Sequence, residues 1–211
     1  MTDLKSTNAM KTKVRTNLMI WNKGITALFI LLMFTQLSAA EQAIHSPKEQ
    51  AAIVQNLTIS EGFIDAFYSF DSTLLDPYLS KAKQTSGNIR RYQGWAEGGN
   101  YKVLQRQACQ LESPSVIFCS ITVQDDPVQA LHAGFNVTDT FHLTFENGHI
   151  MSIITSSDDQ PIYYEAKKWV EANMPEVMTG PCDKSAKTPG DCARAMTEGY
   201  KRFYESVKKD N

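Results

Sequence analysis

DTFHLTFENGHIMSI, residues 139–153, alternates apolar and polar side chains on both sides of Asn147-Gly148. Asn-Gly is the strongest short signal for a two-residue hairpin turn, because both central positions of the favoured turn take positive φ. Two antiparallel strands are therefore predicted, about 137–147 and 149–158. With Asn147-Gly148 as the turn, Phe145 faces Ile150, Leu143 faces Ser152 and Phe141 faces Ile154, and this apolar side belongs against a core. Thr140, His142, Thr144, Glu146, His149, Met151 and Ile153 then point to the other side. His142 and His149 share that outer side, but His149 pairs with Glu146, about 13 Å along the strand from His142. One zinc ion needs each imidazole at about 2 Å, so the two histidines do not make a metal pair. They read as solvated residues.

Working outward, the period of two extends upstream into strands at about 102–112 and 115–125, joined at Ser113-Pro114-Ser115. Residues 126–136 read as a loop carrying His132. Before Tyr101 the apolar period is that of a helix. Ser46, Pro47 and Glu49 form a capping box with proline in the first turn, opening a short helix. Ile59, Phe63, Ala66, Phe67 and Phe70 mark a second, capped by Thr58 or Ser60. A brief helix over Thr73–Ser80 follows the Asp71-Ser72 break, and another turns Ile89, Tyr92, Trp95 and Ala96 inward before Gly98-Gly99 ends it. Beyond Asp158-Asp159, Tyr163, Ala166, Trp169 and Val170 share a helix face. Thr188, Pro189 and Asp191 start a last helix, with Ala193, Met196, Tyr200, Phe203 and Val207 as its buried stripe. Helices first, then long antiparallel hairpins, is an α+β pattern with the helices covering one sheet face.

The N-terminus has a different character. ITALFILLMFTQL, residues 25–37, is uncharged, follows Lys11, Lys13, Arg15 and Lys23, and precedes Ser38-Ala39-Ala40. That order is a secretory signal peptide over residues 1–40, and thirteen apolar residues fall short of the roughly 20 that span a bilayer. No stable membrane span is expected after cleavage, and the protein is expected to be periplasmic or secreted. Of 21 basic and 23 acidic residues, five and one lie in that segment, which leaves the remainder near −6. An acidic domain lacks the basic surface that phosphates require, so nucleic acid is not an expected partner.

In an oxidising compartment, four cysteines without a C-x-x-C read as disulfides. Three pairings exist, and spacing favours Cys109–Cys119 with Cys182–Cys192. A three-residue loop at Ser113–Ser115 sets Cys109 opposite Cys119, within reach of a bridge, whereas a two-residue loop would shift that register. Serine-nucleophile, phosphate-loop and dinucleotide fingerprints are all missing, and nothing calls for a cofactor or a metal.

FIDAFYSFDSTLLDPYLS, then VIFCSITVQ, then FHLTFENGHIMSI, is a succession that resembles the nuclear transport factor 2-like superfamily, which includes the ketosteroid isomerase-like and SnoaL-like proteins, over roughly residues 57–177. The resemblance implies a curved, cystatin-like antiparallel sheet wrapped around N-terminal helices to form a conical pocket. Residues 41–211 are then a single domain with a C-terminal helical extension from about 178. Within such a pocket the candidates are Asp139, Phe141, Tyr68, Tyr92 and Trp95. Asp139 lies on the inward register at a strand start. It reads either as an ordinary solvated aspartate or as a pocket carboxylate of raised pKa, the role a strand aspartate plays in ketosteroid isomerase. The function expected is an exported pocket for a small apolar molecule. The alternatives are a cofactor-free isomerase, dehydratase or cyclase using a pocket carboxylate, or an interaction domain that dimerises through the outer sheet face.

Overall fold

The computed structural model describes residues 46–183 and 188–209; the apolar run at residues 25–37 lies outside them. Helix α1 (Pro47–Tyr68) opens the fold, followed by α2 (Ser72–Leu79) and α3 (Ser86–Gly98). Strands β1 (Lys102–Arg106), β2 (Gln110–Ser113) and β3 (Val116–Gln124) come next, then the short helix α4 (Asp126–Gln129). Strands β4 (Val137–Glu146) and β5 (His149–Ser157) lead into α5 (Pro161–Asn173), α6 (Pro175–Thr179) and α7 (Pro189–Lys209). The sheet is open and antiparallel, in the order β1, β3, β4, β5, with β2 paired to β3 beyond the end of β1. The architecture is mixed α+β.

Two helices expected before residue 70 are one. Thr58 and Ser60 do not cap a second start; their hydroxyls donate to the carbonyls of Val54 and Asn56, one turn back, at 3.0 and 2.9 Å. Hydroxyls can bond backward within a helix as readily as they can cap one, and the apolar stripe of Phe63, Ile64 and Phe67 keeps this helix intact across them. The break after it is where the sequence puts it. Phe70 takes a positive φ of 58°, and the Asp71 carboxylate accepts from Thr73 N at 2.8 Å to cap α2.

The strand expected over 102–112 is interrupted at residues 107–109, giving β1 and β2 along one edge of β3. The turn to β3 has two residues, Pro114 and Ser115, since Ser113 pairs with Val116. A register shift between Leu111 and Ser113 then restores the pairing that a three-residue loop would have given. Cys109 and Cys119 accordingly bridge with Cα atoms 4.3 Å apart. Cys182 and Cys192 form the second disulfide, so both expected pairings are present.

Around Asn147-Gly148, Phe145 does face Ile150 and Glu146 faces His149. One step further in, a shift between Thr144 and Phe145 sets Leu143 opposite Ile153 and Phe141 opposite Thr155. This corrects the face of Ile153. It is 3% exposed and packs inside, whereas Ile154 is 64% exposed, because one extra residue in a strand inverts every side chain beyond it. The Ile153 N–H, on the free edge of the sheet, donates to Thr85 Oγ1 at 3.1 Å, which holds the loop before α3 against β5.

Two apolar clusters result. In the first, Phe63, Phe67, Leu75, Leu79 and Ile89 from α1–α3 pack on Ile117, Ile121, Phe141, Leu143 and Phe145 from the inner sheet face. The second joins Ala130 and Leu131 to Ala166 and Val170 of α5 and to Met196, Tyr200 and Phe203 of α7. Val207, read as part of the buried stripe, is 45% exposed, in the last turn of α7. Helix α7 reaches α3 backbone to backbone: a Cβ on Gly98 would stand 2.2 Å from Gly190 Cα. On its other side Gly199 clears Val170, whose methyl would lie 2.5 Å from an added Cβ.

Candidate functional site

Where the two clusters meet, the molecule leaves a cavity of about 420 Å³. Its walls come from α3 (Arg91, Tyr92, Trp95), Tyr101, the first turn-facing residues of β4 (Val137, Asp139), the end of β5 with Asp159, α5 (Tyr163, Lys167), and Met178, Cys182, Cys192, Met196 and Tyr200. The volume lies in the range of small-molecule sites, and aromatic and apolar residues share the lining with Arg91, Asp139, Asp159 and Lys167 and with the hydroxyls of Thr155, Ser156 and Ser157.

Local structure positions each wall. The buried Gln93 side chain of α3 donates to the last carbonyls of α1, Ala66 O at 3.1 Å and Phe67 O at 3.0 Å. That satisfies helix-end acceptors that would otherwise be lost to burial, and it fixes α3 with Tyr92 packed on the first cluster and Trp95 on the second. Trp95 Nε1 donates to the Tyr101 hydroxyl at 3.3 Å, joining two wall residues. Tyr92 and Tyr101 meet edge to face at 6.5 Å, as do Tyr163 and Tyr200 at 5.3 Å. The Cys182–Cys192 bridge ties the chain after α6 to the first turn of α7 and forms part of the wall itself.

Asp139 is 1% exposed. Its Oδ2 accepts from the Tyr68 hydroxyl at 3.1 Å, so the last residue of α1 reaches across the sheet to it. Burial pushes the carboxyl up to about 6, against the opposing pull of hydrogen bonding from Tyr92 and Tyr68, with Asp159 and Asp158 adding repulsion. Of the sequence candidates, Asp139, Tyr92 and Trp95 lie in the wall. Tyr68 touches the carboxylate from behind. Phe141 is fully buried between Phe63, Phe67 and Tyr92, in the core beneath the cavity.

Asp125 is a second buried carboxyl, 2% exposed, and the sequence reading passed over it. It caps α4, accepting from Val128 N at 2.8 Å through Oδ1, while Oδ2 has no hydrogen-bond partner. Desolvation pushes it up to about 7, and repulsion from Asp139, Asp159 and Asp126 adds to the rise. Asp125-Asp126-Pro127 is a helix-start signature, so α4 was legible inside the supposed loop; the burial of its cap was not. Tyr200 is 0% exposed, and its hydroxyl meets no partner in hydrogen-bonding geometry; burial raises its pKa most, and the neighbouring Tyr163 hydroxyl adds to the rise.

The histidines stand apart. His142 Nδ1 lies 2.9 Å from Glu112 Oε2 on the outer sheet face, with the Phe118 ring 6.5 Å away. His132, at a positive φ of 51°, stacks on Tyr204 at 4.4 Å. Among the described residues no group of His, Cys, Asp and Glu is arranged to hold a metal ion, and no helix is long and apolar enough to cross a membrane.

Comparison with family models, curated proteins and solved structures finds no match to this chain.

Proposed function

We propose that this chain is an exported domain of the nuclear transport factor 2-like kind that holds a small, largely apolar molecule in the cavity between α3, the open end of β4 and β5, and α7. The observation that carries this reading is a 420 Å³ space walled by tyrosine, tryptophan and methionine, with one buried carboxyl, Asp139, among them. Apolar walls supply affinity through area removed from water, and a single desolvated polar group supplies orientation. Two disulfides are compatible with an oxidising compartment outside the cytoplasm. The test is native mass spectrometry of protein purified from its own host, followed by a crystal structure of the same material. A bound mass, with density against Tyr92 and Tyr200, is expected. A cavity collapsed onto Asp139 and a bare protein mass would end the reading.

A second reading has its own support. A carboxyl near 6, steadied by two tyrosine hydroxyls, is largely ionised at neutral pH yet basic enough to take a proton from a carbon acid. Under this reading Asp139 is the base of a cofactor-free isomerisation or dehydration, and the Tyr68 and Tyr92 hydroxyls hold its carboxylate in place. Asp139→Asn separates the two. A binding site keeps its occupant, with at most a moderate loss of affinity, while turnover by a base drops by about 10²-fold or more.

A further inference from the structure

We infer that the cavity takes an organic cation, a protonated amine on an aromatic or apolar body, with its nitrogen at the Asp139 end and its body against the rings of Tyr92, Trp95 and Tyr101. This rests on the proposal that the cavity holds a small molecule, and adds the ligand's charge.

Three observations lead there. First, carboxyl groups are gathered at the cavity. Asp139 and Asp159 are in the wall, Asp125 lies close enough to bear on both, and none of the three joins an ion pair among the described residues. Buried charges are ordinarily paired, because the loss of hydration is otherwise uncompensated. Second, a fully buried polar atom of the wall, Tyr200 Oη, has no hydrogen-bond partner. A hydroxyl oxygen accepts hydrogen bonds, and an ammonium offers three donors. Third, five aromatic rings surround the space, and the faces of tyrosine and tryptophan attract cations most strongly where water is excluded. Two cations share the wall: the half-buried Arg91, which donates to the Asp183 carbonyl at 3.1 Å, and Lys167, which is exposed on α5.

The experiment is titration calorimetry with three probes of one shape: 3-phenylpropylamine, 3-phenylpropanol and 3-phenylpropionate. The amine is expected to bind at least about tenfold more tightly than the alcohol, and the propionate more weakly than either. Asp139→Asn is expected to remove about tenfold from the amine while leaving the alcohol within about twofold. If that variant does not melt cooperatively, Asp159→Asn carries the same comparison with a loss of about threefold on the amine alone. An alcohol that binds as well as the amine, or a propionate that binds best through Arg91 and Lys167, overturns the inference and leaves the pocket in place. If none of the three binds at millimolar concentration, the inference and the pocket proposal both fall.

Discussion

The two apolar clusters are built on different terms. Between α1–α3 and the sheet, Phe63, Phe67, Phe141 and Tyr92 meet ring against ring at 4.9 to 6.3 Å, and strand residues with alternating burial close the space. Between α7 and its neighbours α3 and α5, the contact depends on glycines, Gly190 against the Gly98 backbone and Gly199 against the Val170 side chain. The first arrangement fills its volume with side chains. The second also brings main chains together, where Gly190 meets Gly98, and the cavity lies on the boundary between the two clusters. The comparison teaches that polar burial here marks the place where two packing schemes meet, away from the centre of either.

The largest test of that difference is side-chain truncation on each side. Phe67→Ala is expected to cost about 3–5 kcal/mol in urea unfolding, because a fully buried ring with neighbours on every side leaves a hole that cannot relax. Met196→Ala, facing a space already empty, is expected at the low end, about 2 kcal/mol. Equal losses would erase the contrast.

Next in size is the dependence of stability on pH. Asp139 and Asp125 have folded pKa values of about 6 and about 7, above the ordinary 3.8, so between those values the folded protein holds more protons than the unfolded chain. The sign follows: stability is greatest at the acid side of that window and falls as pH rises through 6 and 7, by on the order of 5 kcal/mol between pH 4.5 and 8. Asp125→Asn keeps a capping oxygen for α4 and removes the charge, so it is expected to raise stability at pH 8 and flatten the slope, read from chemical unfolding at a series of pH values.

Gly98→Ala is expected to cost about 2 kcal/mol, since the new methyl meets the Gly190 backbone and nothing flexible can yield. The loss should appear in melting temperature together with weaker probe binding, as α7 is levered off α3. The smallest effect is Tyr200→Phe. Its hydroxyl is buried without a partner, so the unliganded protein is expected to gain up to about 1 kcal/mol in thermal melting, while the amine probe loses affinity. A destabilised variant would show that the hydroxyl already has an unseen partner.

Parts of this were legible without coordinates. The alternation in 137–145 predicts that Val137, Asp139, Phe141, Leu143 and Phe145 face one way, and all five are buried. Cysteine spacing predicts both bridges, although Cys109 and Cys119 align because a bulge offsets a shorter turn than the one expected. Ile153 and Ile154 were assigned to the wrong faces because a bulge has no marker in a run such as Met151-Ser152-Ile153-Ile154. Gly94 and Gly98, four apart on α3, were a readable sign of close helix approach, but their partner Gly190 is distant in the chain and spacing does not name it.

What the sequence determined by itself was therefore local: the turn at Asn147-Gly148, the faces of strands up to the first bulge, the break at Asp71-Ser72, the start of the last helix at Pro189, and the cysteine pairs. Each follows from interactions within a few residues or across one hairpin. Only the tertiary structure decided that Asp139 and Asp125 are dry, that Tyr68 reaches Asp139 from 71 residues away, and that α7 stands off the sheet far enough to leave a cavity. Burial and empty volume depend on how separate elements fit together, and a side chain's own neighbours in the chain carry no record of that fit.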